Sequence, residues 1–289
     1  MKGHSIIIPV YNERENLEIL LPFIFENING SSEVIVVNDE SGDGTFDYCN
    51  NLTRNGYPTL HCLNKRDRKG LASAVVSGIH FARYENIIVM DGDCQHNPIH
   101  LPAMFEALED HDLVVGTRYF IEGGECTGLK GFRKLGSIVC NLLAYPITKL
   151  HDSTSGFFGF KKWSDEYTLE NLDPKAFKIG LELYTQFKNK AEVPISFIPR
   201  PFGTSKMTAM QVVKYFKQLI RLYIHKWDLF RMSKFYAVGA VGVVINYIIL
   251  LSLVEWIGFD YKVANIIAIA GAAFSNFKLN VLWTFKRDD

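Results

Sequence analysis

The sequence predicts an α/β domain built on a doubly wound, mainly parallel sheet, followed by interfacial helices and a two-helix transmembrane hairpin. Three observations carry this. Short apolar runs alternate with segments of helical period, one of those runs opens directly onto Asp91-Gly92-Asp93, and residues 235–254 contain no charged side chain. Continuous apolar runs separated by helices are the mark of strands buried on both faces and joined by crossovers. With 289 residues, 48% of them hydrophobic and 21% charged, the chain can bury a large core and falls outside the disordered class.

Residues 5–10 (SIIIPV) read as the first strand. Residues 12–27 then place Leu17, Leu20, Leu21 and Ile24 at helical spacing, with Pro22 expected to interrupt the helix late. Residues 33–37 (EVIVV) are a second strand, ended by the turn-rich string 38–45, which leads into a helix through Cys49 and Leu52. Residues 59–63 are a third strand, Gly70 starts a helix reaching Ala82, and residues 86–90 (NIIVM) are a fourth strand; residues 113–117 (LVVGT) add another that ends at Arg118.

In such sheets ligands bind beyond the carboxyl ends of the strands. Three loops leave those ends, residues 9–13, 38–45 and 91–95, and all are rich in carboxylates and turn residues. Asp91 and Asp93 can turn toward one cation if the chain bends at Gly92, and Gln95 can add a neutral oxygen. Hard oxygen ligands suit Mg2+ or Mn2+, which bind through few protein groups together with substrate phosphates. Asp39 in the neighbouring loop can accept the imide hydrogen of a uracil or, less selectively, the amines of other bases.

Several classes are disfavoured. No GxGxxG follows the first strand and no GxxxxGK[ST] occurs, so a metal and side chains must hold the phosphate. A formal net charge of zero argues against a nucleic-acid partner. Five cysteines without a CxxC pair indicate neither a disulfide framework nor a zinc ribbon, and the soluble part reads as reduced and cytosol-facing. A basic set comes later: Arg118, then Arg133 and Lys134, then Arg200 and Lys206 bracketing residues 201–205 just before the membrane-directed segment. The planar fork of arginine grips phosphate oxygens in pairs while keeping its charge.

Residues 207–231 set Val212, Val213, Phe216, Leu219, Ile220, Tyr223, Ile224 and Trp227 against Lys214, Lys217, Arg221 and Lys226 at helical spacing, the pattern of helices lying in a membrane interface. Residues 235–257, broken only by Glu255, are long enough to cross the hydrocarbon layer. Residues 263–285 form the second span if Lys278 snorkels toward the headgroups. Basic residues flank the outer ends of the hairpin, so the α/β domain and both termini are expected in the cytosol of a multi-pass protein of the cell membrane. Small-residue patches at residues 239–242 and 271–273 suit close helix packing, with each other or in a homo-oligomer. The expected organisation is a cytosolic domain over 1–206, interface helices over 207–233 and a transmembrane hairpin over 234–289.

Taken in order, the strings at residues 8–16, 36–45, 70–71, 90–98, 116–119, 155–158, 179–182 and 192–206 resemble those of family 2 inverting glycosyltransferases of the A-type fold, close to the polyprenyl-phosphate hexose synthases. The tail, residues 238–285, resembles a GtrA-like membrane domain; that domain commonly has four helices, and two are present here. One departure is Asn38, where the family often has an aspartate. The resemblance implies that Pro9, Tyr11, Glu13 and Asp39 line the nucleoside site and that Asp91, Asp93 and Gln95 bind metal and diphosphate. It implies that Arg118, Arg133, Ser137 and Arg200, with Lys206 nearby, hold an acceptor phosphate. The expected reaction moves mannose from GDP-mannose to dolichyl or another polyprenyl phosphate, with inversion; Asp91, Asp93, Arg118, Arg133 and Arg200 carry it, and no catalytic histidine is needed. A UDP-glucose-dependent glucosyltransferase and a non-enzymatic membrane scaffold or flippase accessory are the alternatives. A processive synthase is disfavoured because Gln218-Leu-Ile-Arg221 is followed by Leu222 in place of tryptophan.

Overall fold

The structure is a computed structural model that describes residues 3–28, 31–65, 70–162, 172, 178–203, 209–227 and 229–284. Two compact units divide the chain, Met1–Leu219 and Ile220–Asp289.

The first unit is organised on a seven-stranded sheet. Its strands are β1 (His4–Val10), β2 (Ser32–Asn38), β3 (Leu60–Asn64), β4 (Asn86–Val89), β5 (Leu113–Thr117), β7 (Phe158–Lys161) and β8 (Lys190–Pro194), in the order β3-β2-β1-β4-β7-β5-β8. All pairings are parallel except those of β7, which runs antiparallel between β4 and β5. A small second sheet joins β6 (Glu125–Cys126) to β9 (Ser196–Phe197).

Helices α1 (Arg14–Asn27), α2 (Thr45–Asn55), α3 (Leu71–Phe81), α4 (Leu101–Asp110), α5 (Gly131–Thr148) and α6 (Ile179–Gln186) surround the sheet, and α7 (Ala209–Trp227) follows. Alternation along the strands divides the core into two faces. Ile7, Ile35, Val37 and Val89 face one layer with Val75 and Ile79 of α3, while Ile6, Ile8, Val34, Val36 and Ile88 face the other with Leu17 and Leu21 of α1 and Met104 of α4. Pro22 does not interrupt α1, which runs unbroken to Asn27. The burial of Leu20, Leu21 and Ile24 around it offsets the roughly 3 kcal/mol that an interior proline costs.

The second unit is a hairpin. Helix α8 (Leu229–Leu251) begins ahead of the expected span and continues into a wider π-helical turn, Ser252–Trp256; α9 (Tyr261–Leu279) does the same through Asn280–Thr284. The apolar stretches Arg231–Trp256 and Tyr261–Thr284, 26 and 24 residues long with mean hydropathy 2.4 and 1.4 over an 18-residue window of each, are both long enough to cross a bilayer. Asp260 caps α9 by accepting from the Lys262 N–H at 2.9 Å. Gly242 on α8 packs directly against the Asn276 side chain of α9, in space that a Cβ would occupy.

Two substitutions test this packing. Ile7→Ala in the central strand is expected to cost about 2–5 kcal/mol, read as a lower thermal midpoint in detergent. Gly242→Val is expected to push α9 away and lower the yield of a disulfide between cysteines placed at Ile249 and Gly271, whose positions touch.

Candidate active site

The loops that follow β1, β2 and β4 converge with the loop before β7. Asn12, Glu40 and Cys94, one in each of the first three, have left-handed backbones with φ of 51°, 56° and 61°. Such conformations are uncommon for residues with a side chain and concentrate where function imposes them. Cross-bonds hold the first two loops together: the Asn12 N–H donates to Ser41 Oγ at 2.8 Å, the Gly42 N–H donates to Asn12 Oδ1 at 2.8 Å, and the Arg14 N–H donates to Asp43 at 3.0 Å. Asn38, the departure from the family pattern, ends β2 by donating to Asn64 Oδ1 of β3 at 2.9 Å.

The residues expected at the nucleoside end are gathered here. Pro9 is buried one residue before the end of β1, Tyr11 is 47% exposed, and Glu13 accepts from Asn16 Nδ2 at 2.6 Å. Asp39 accepts from the Gly70 N–H at 2.7 Å and lies 3.6 Å from Lys65 Nζ, which orients its carboxylate.

Asp91 and Asp93 follow β4. Withdrawal from water, and after it the charge of Asp93, push the Asp91 carboxyl up to about 6, although 32% of its side chain is exposed. A cation would lift that penalty by favouring the charged form of both acids. Gln95 spends its amide nitrogen on the Ile198 carbonyl at 3.2 Å, which leaves its oxygen for a metal. Among the described residues no group of three or more His, Cys, Asp and Glu forms a metal cage. Two carboxylates and an amide oxygen fit a Mg2+ or Mn2+ that takes its remaining ligands from phosphate and water. Gly156, in the loop before β7, lies against the Asp91 carboxylate where any Cβ would collide with it.

Arg200 is brought to this acidic end. Its guanidinium bonds Asp93 and lies 3.9 Å from Glu13. Arg118 stands elsewhere, 6% exposed, in a two-pronged pair with the fully buried Asp152: Nε to Oδ2 at 2.7 Å and Nη2 to Oδ1 at 2.8 Å. Its Nη2 also donates to Thr154 Oγ1 at 2.8 Å, and Ser137 Oγ on α5 lies 3.0 Å from the same hydroxyl. Arg133, near the start of α5, is exposed and, among the described residues, makes no bond to this cluster; Lys206 lies outside the described residues.

Three features were not read from the sequence. Asp152 sits in a loop with no motif of its own, and only the pairing with Arg118 reveals it. Lys178, just before α6, reaches into the same region and donates to the Thr154 carbonyl at 2.9 Å. Helix α5 exposes a row of large apolar residues, Phe132, Leu135, Val139, Leu142 and Leu143, beside Ser137; its i, i+3, i+4 and i+7 spacing was legible as amphipathic. His96 is a neutral ring packed between Phe157 and Phe197: burial first, then the charges of Arg118 and Lys178, lower its pKa to about 3.

A model of glycosyl transferase family 2 matches residues 5–165, more than half of the chain. The chain belongs to that family. The model of the GtrA/DPMS transmembrane domain matches residues 234–289. The protein named dolichol-phosphate mannosyltransferase in Pyrococcus furiosus is 35% identical over 98% of this chain and 81% of its own length. Its namesake in Saccharomyces cerevisiae is 32% identical over 78% of this chain and 88% of its own. Glucosyl-3-phosphoglycerate synthase from Mycobacterium tuberculosis, solved with Mn2+, UDP and phosphoglyceric acid, superposes with a TM-score of 0.55 over 78% of each chain at 16% identity, a likeness of fold alone. This family member is thus a hexosyltransferase of the A-type fold with a membrane-associated tail.

The Arg118–Asp152 pair carries a pH dependence. Burial alone would raise the Asp152 pKa, but Arg118 and the bonds from Arg118 and Asn141 bring it below its ordinary 3.8. Its contribution to stability is therefore complete above pH 3.8 and is lost as the pH falls through the lower folded value. Asp152→Asn is expected to cost about 3–5 kcal/mol near neutrality and to flatten the acid limb of a thermal-midpoint profile relative to the parent protein.

Proposed function

We propose that the protein transfers mannose from GDP-mannose to dolichyl or another polyprenyl phosphate, giving a beta-linked lipid phosphate sugar. The observation that carries this reading is the juxtaposition of two oppositely charged groups of side chains. Asp91 and Asp93, with their strand-end loops, offer a cation and diphosphate site, and the Arg118–Thr154–Ser137 cluster offers donors to a second phosphate across the Gly156 turn. The names of the relatives supply the sugar and the lipid.

In this reading Pro9, Tyr11, Glu13 and Asp39 hold the nucleoside, while Asp91, Asp93 and Gln95 hold Mg2+ or Mn2+. When bound, the metal neutralises the departing diphosphate. The acceptor phosphate is already ionised near neutral pH, so its oxygen attacks the anomeric carbon as the carbon–oxygen bond to the nucleoside diphosphate breaks. No general base has to take a proton, and one displacement inverts configuration. Catalysis then rests on positioning and charge: Arg118, Ser137 and the exposed Arg133 attract the acceptor phosphate, and Arg200, assigned to the same phosphate, balances Asp93 and Glu13. Lys206 is assigned to the acceptor side on sequence alone.

Helices α8 and α9 span the cell membrane with the catalytic domain and both termini in the cytosol, and α7 lies along the interface. The proposed limits 1–206, 207–233 and 234–289 divide the chain by environment, while the first compact unit continues to Leu219. A second copy would pack through the small-residue faces of the hairpin.

Radiolabel transfer into lipid in vesicles holding polyprenyl phosphate tests the reading, with GDP-mannose and UDP-glucose compared at equal concentration. Mannose transfer is expected to dominate, and a preference for UDP-glucose overturns the donor assignment. Asp91→Ala and Asp93→Ala should each lower transfer by about 100-fold or more with membrane insertion retained. Unchanged transfer in these variants, or in chelator-treated enzyme, would sink the metal role and favour a scaffold.

A further inference from the structure

Arg118 is a restricted phosphate ligand. Its Nε and Nη2 are committed to Asp152 and Thr154, leaving Nη1 for a substrate. A phosphate monoester at the cluster needs more positive charge and more donors than one guanidinium nitrogen and the Ser137 hydroxyl supply, and Arg133 approaches it only from the exposed start of α5.

Lys178 stands where that deficit lies. Its Nζ donates to the carbonyl of Thr154, the residue whose hydroxyl already joins Arg118 to Ser137. Among the described residues no carboxylate forms an ion pair with it, although the charges of Asp91, Arg118, Asp152 and Asp93 all act on it. A partly buried ammonium with one carbonyl as its hydrogen-bond partner is better satisfied when an anion completes its surroundings.

The backbone of Lys178 is fixed from α7. Gln218, 6% exposed, accepts from the Lys178 N–H at 3.1 Å and donates Nε2 both to the Lys178 carbonyl at 2.8 Å and to Glu182 Oε1 at 2.7 Å. Helix α7 is seated against α5 as well, where Tyr215 donates its hydroxyl to the Cys140 carbonyl at 2.9 Å. Outward, α7 exposes Met210, Val212, Val213 and Phe216.

We propose that Lys178 is a further ligand of the lipid acceptor's phosphate, and that Gln218 is its positioning residue, through which the seating of α7 sets the charge of the acceptor site. The assignment rests on the transfer reading above for the identity of the acceptor. The clamp makes a chemical distinction: Gln218 touches no reacting atom and reaches the acceptor phosphate only through the Lys178 backbone, so its effect on phosphate binding must vanish once the Lys178 charge is gone.

The test is equilibrium binding and steady-state kinetics on the full chain in vesicles. A short-chain prenyl phosphate, the corresponding prenol and inorganic phosphate are titrated in separate arms without nucleotide sugar. Lys178→Met is expected to weaken prenyl phosphate binding at least tenfold and to raise the KM for the lipid phosphate by a similar factor. The KM for GDP-mannose should stay within twofold and prenol binding should not change. Lys178→Arg, which keeps the charge, should recover most of the affinity. Gln218→Leu should weaken prenyl phosphate binding severalfold in the parent and have no further effect in Lys178→Met. Unchanged prenyl phosphate affinity in Lys178→Met, a KM rise confined to the nucleotide sugar, a Lys178-dependent signal with inorganic phosphate alone, or additive losses in the double variant overturns the proposal. Prenyl phosphate binding that depends on Lys178 in a protein that transfers no sugar would uphold the site and reject the transfer reading. Transfer with Lys178-independent binding would do the reverse.

Discussion

A single buried carboxylate organises the catalytic end of the sheet. Asp152 receives the backbone N–H and Nε of Arg118 on one oxygen, and Nη2 of Arg118 with the Asn141 amide on the other. Neither charge is tolerable in the interior without its partner, so the end of β5, the middle of α5 and the loop before β7 are fixed as one piece. Glu192 of β8 fastens the same loop by accepting from the N–H groups of His151 and Asp152 at 2.9 and 3.2 Å. Thr154, Ser155 and Gly156 follow directly in the chain. The seating of Asp152 therefore decides where the Thr154 hydroxyl stands and how closely the backbone of Gly156 can approach Asp91.

From that anchor the charge of the site divides. Carboxylates collect where the strand-end loops of β1 and β4 meet, with Arg200 as their counterion, whereas Arg118 and Lys178 stand beside the Thr154 turn. The separation matters because two phosphate groups must come together during transfer and would repel unless each meets positive charge of its own. Left-handed backbone at Asn12, Glu40 and Cys94 shows the loops held in conformations that local preference does not favour. The bonds between the first two loops supply the restraint.

Much of this was legible in the sequence, and the reasons are local. Residues of β1, β2 and β4 form continuous apolar runs because each strand is covered on both faces, and Asp91-Gly92-Asp93 could be read as a site because it interrupts such a run at its carboxyl end. What escaped depends on distant contacts. Strand β7 is four residues long, carries a central glycine and runs against its neighbours, so no periodicity announces its place between β4 and β5. Asp152 and Lys178 have unremarkable neighbours in the chain, and their importance arises from Arg118, Thr154 and Gln218, up to 40 positions away. The resemblance implies Arg200 for the acceptor phosphate, and only the structure shows its guanidinium also on Asp93 and near Glu13, because the segment after β9 returns past the metal loop.

Helix α7 belongs to the compact first unit up to Leu219, past the end of the last family string at residue 206. Its inward face, with Tyr215, Gln218 and Leu219 all buried, completes the walls around α5 and α6. A water-soluble fragment ended at residue 206 to escape the membrane would thus lose part of its own interior. It would uncover the apolar seat of Tyr215 and Leu219, strand both backbone groups of Lys178 and leave the Glu182 carboxylate without its amide. For this protein, cutting away the membrane means cutting into the enzyme, and the first divisible point along the chain lies beyond Leu219.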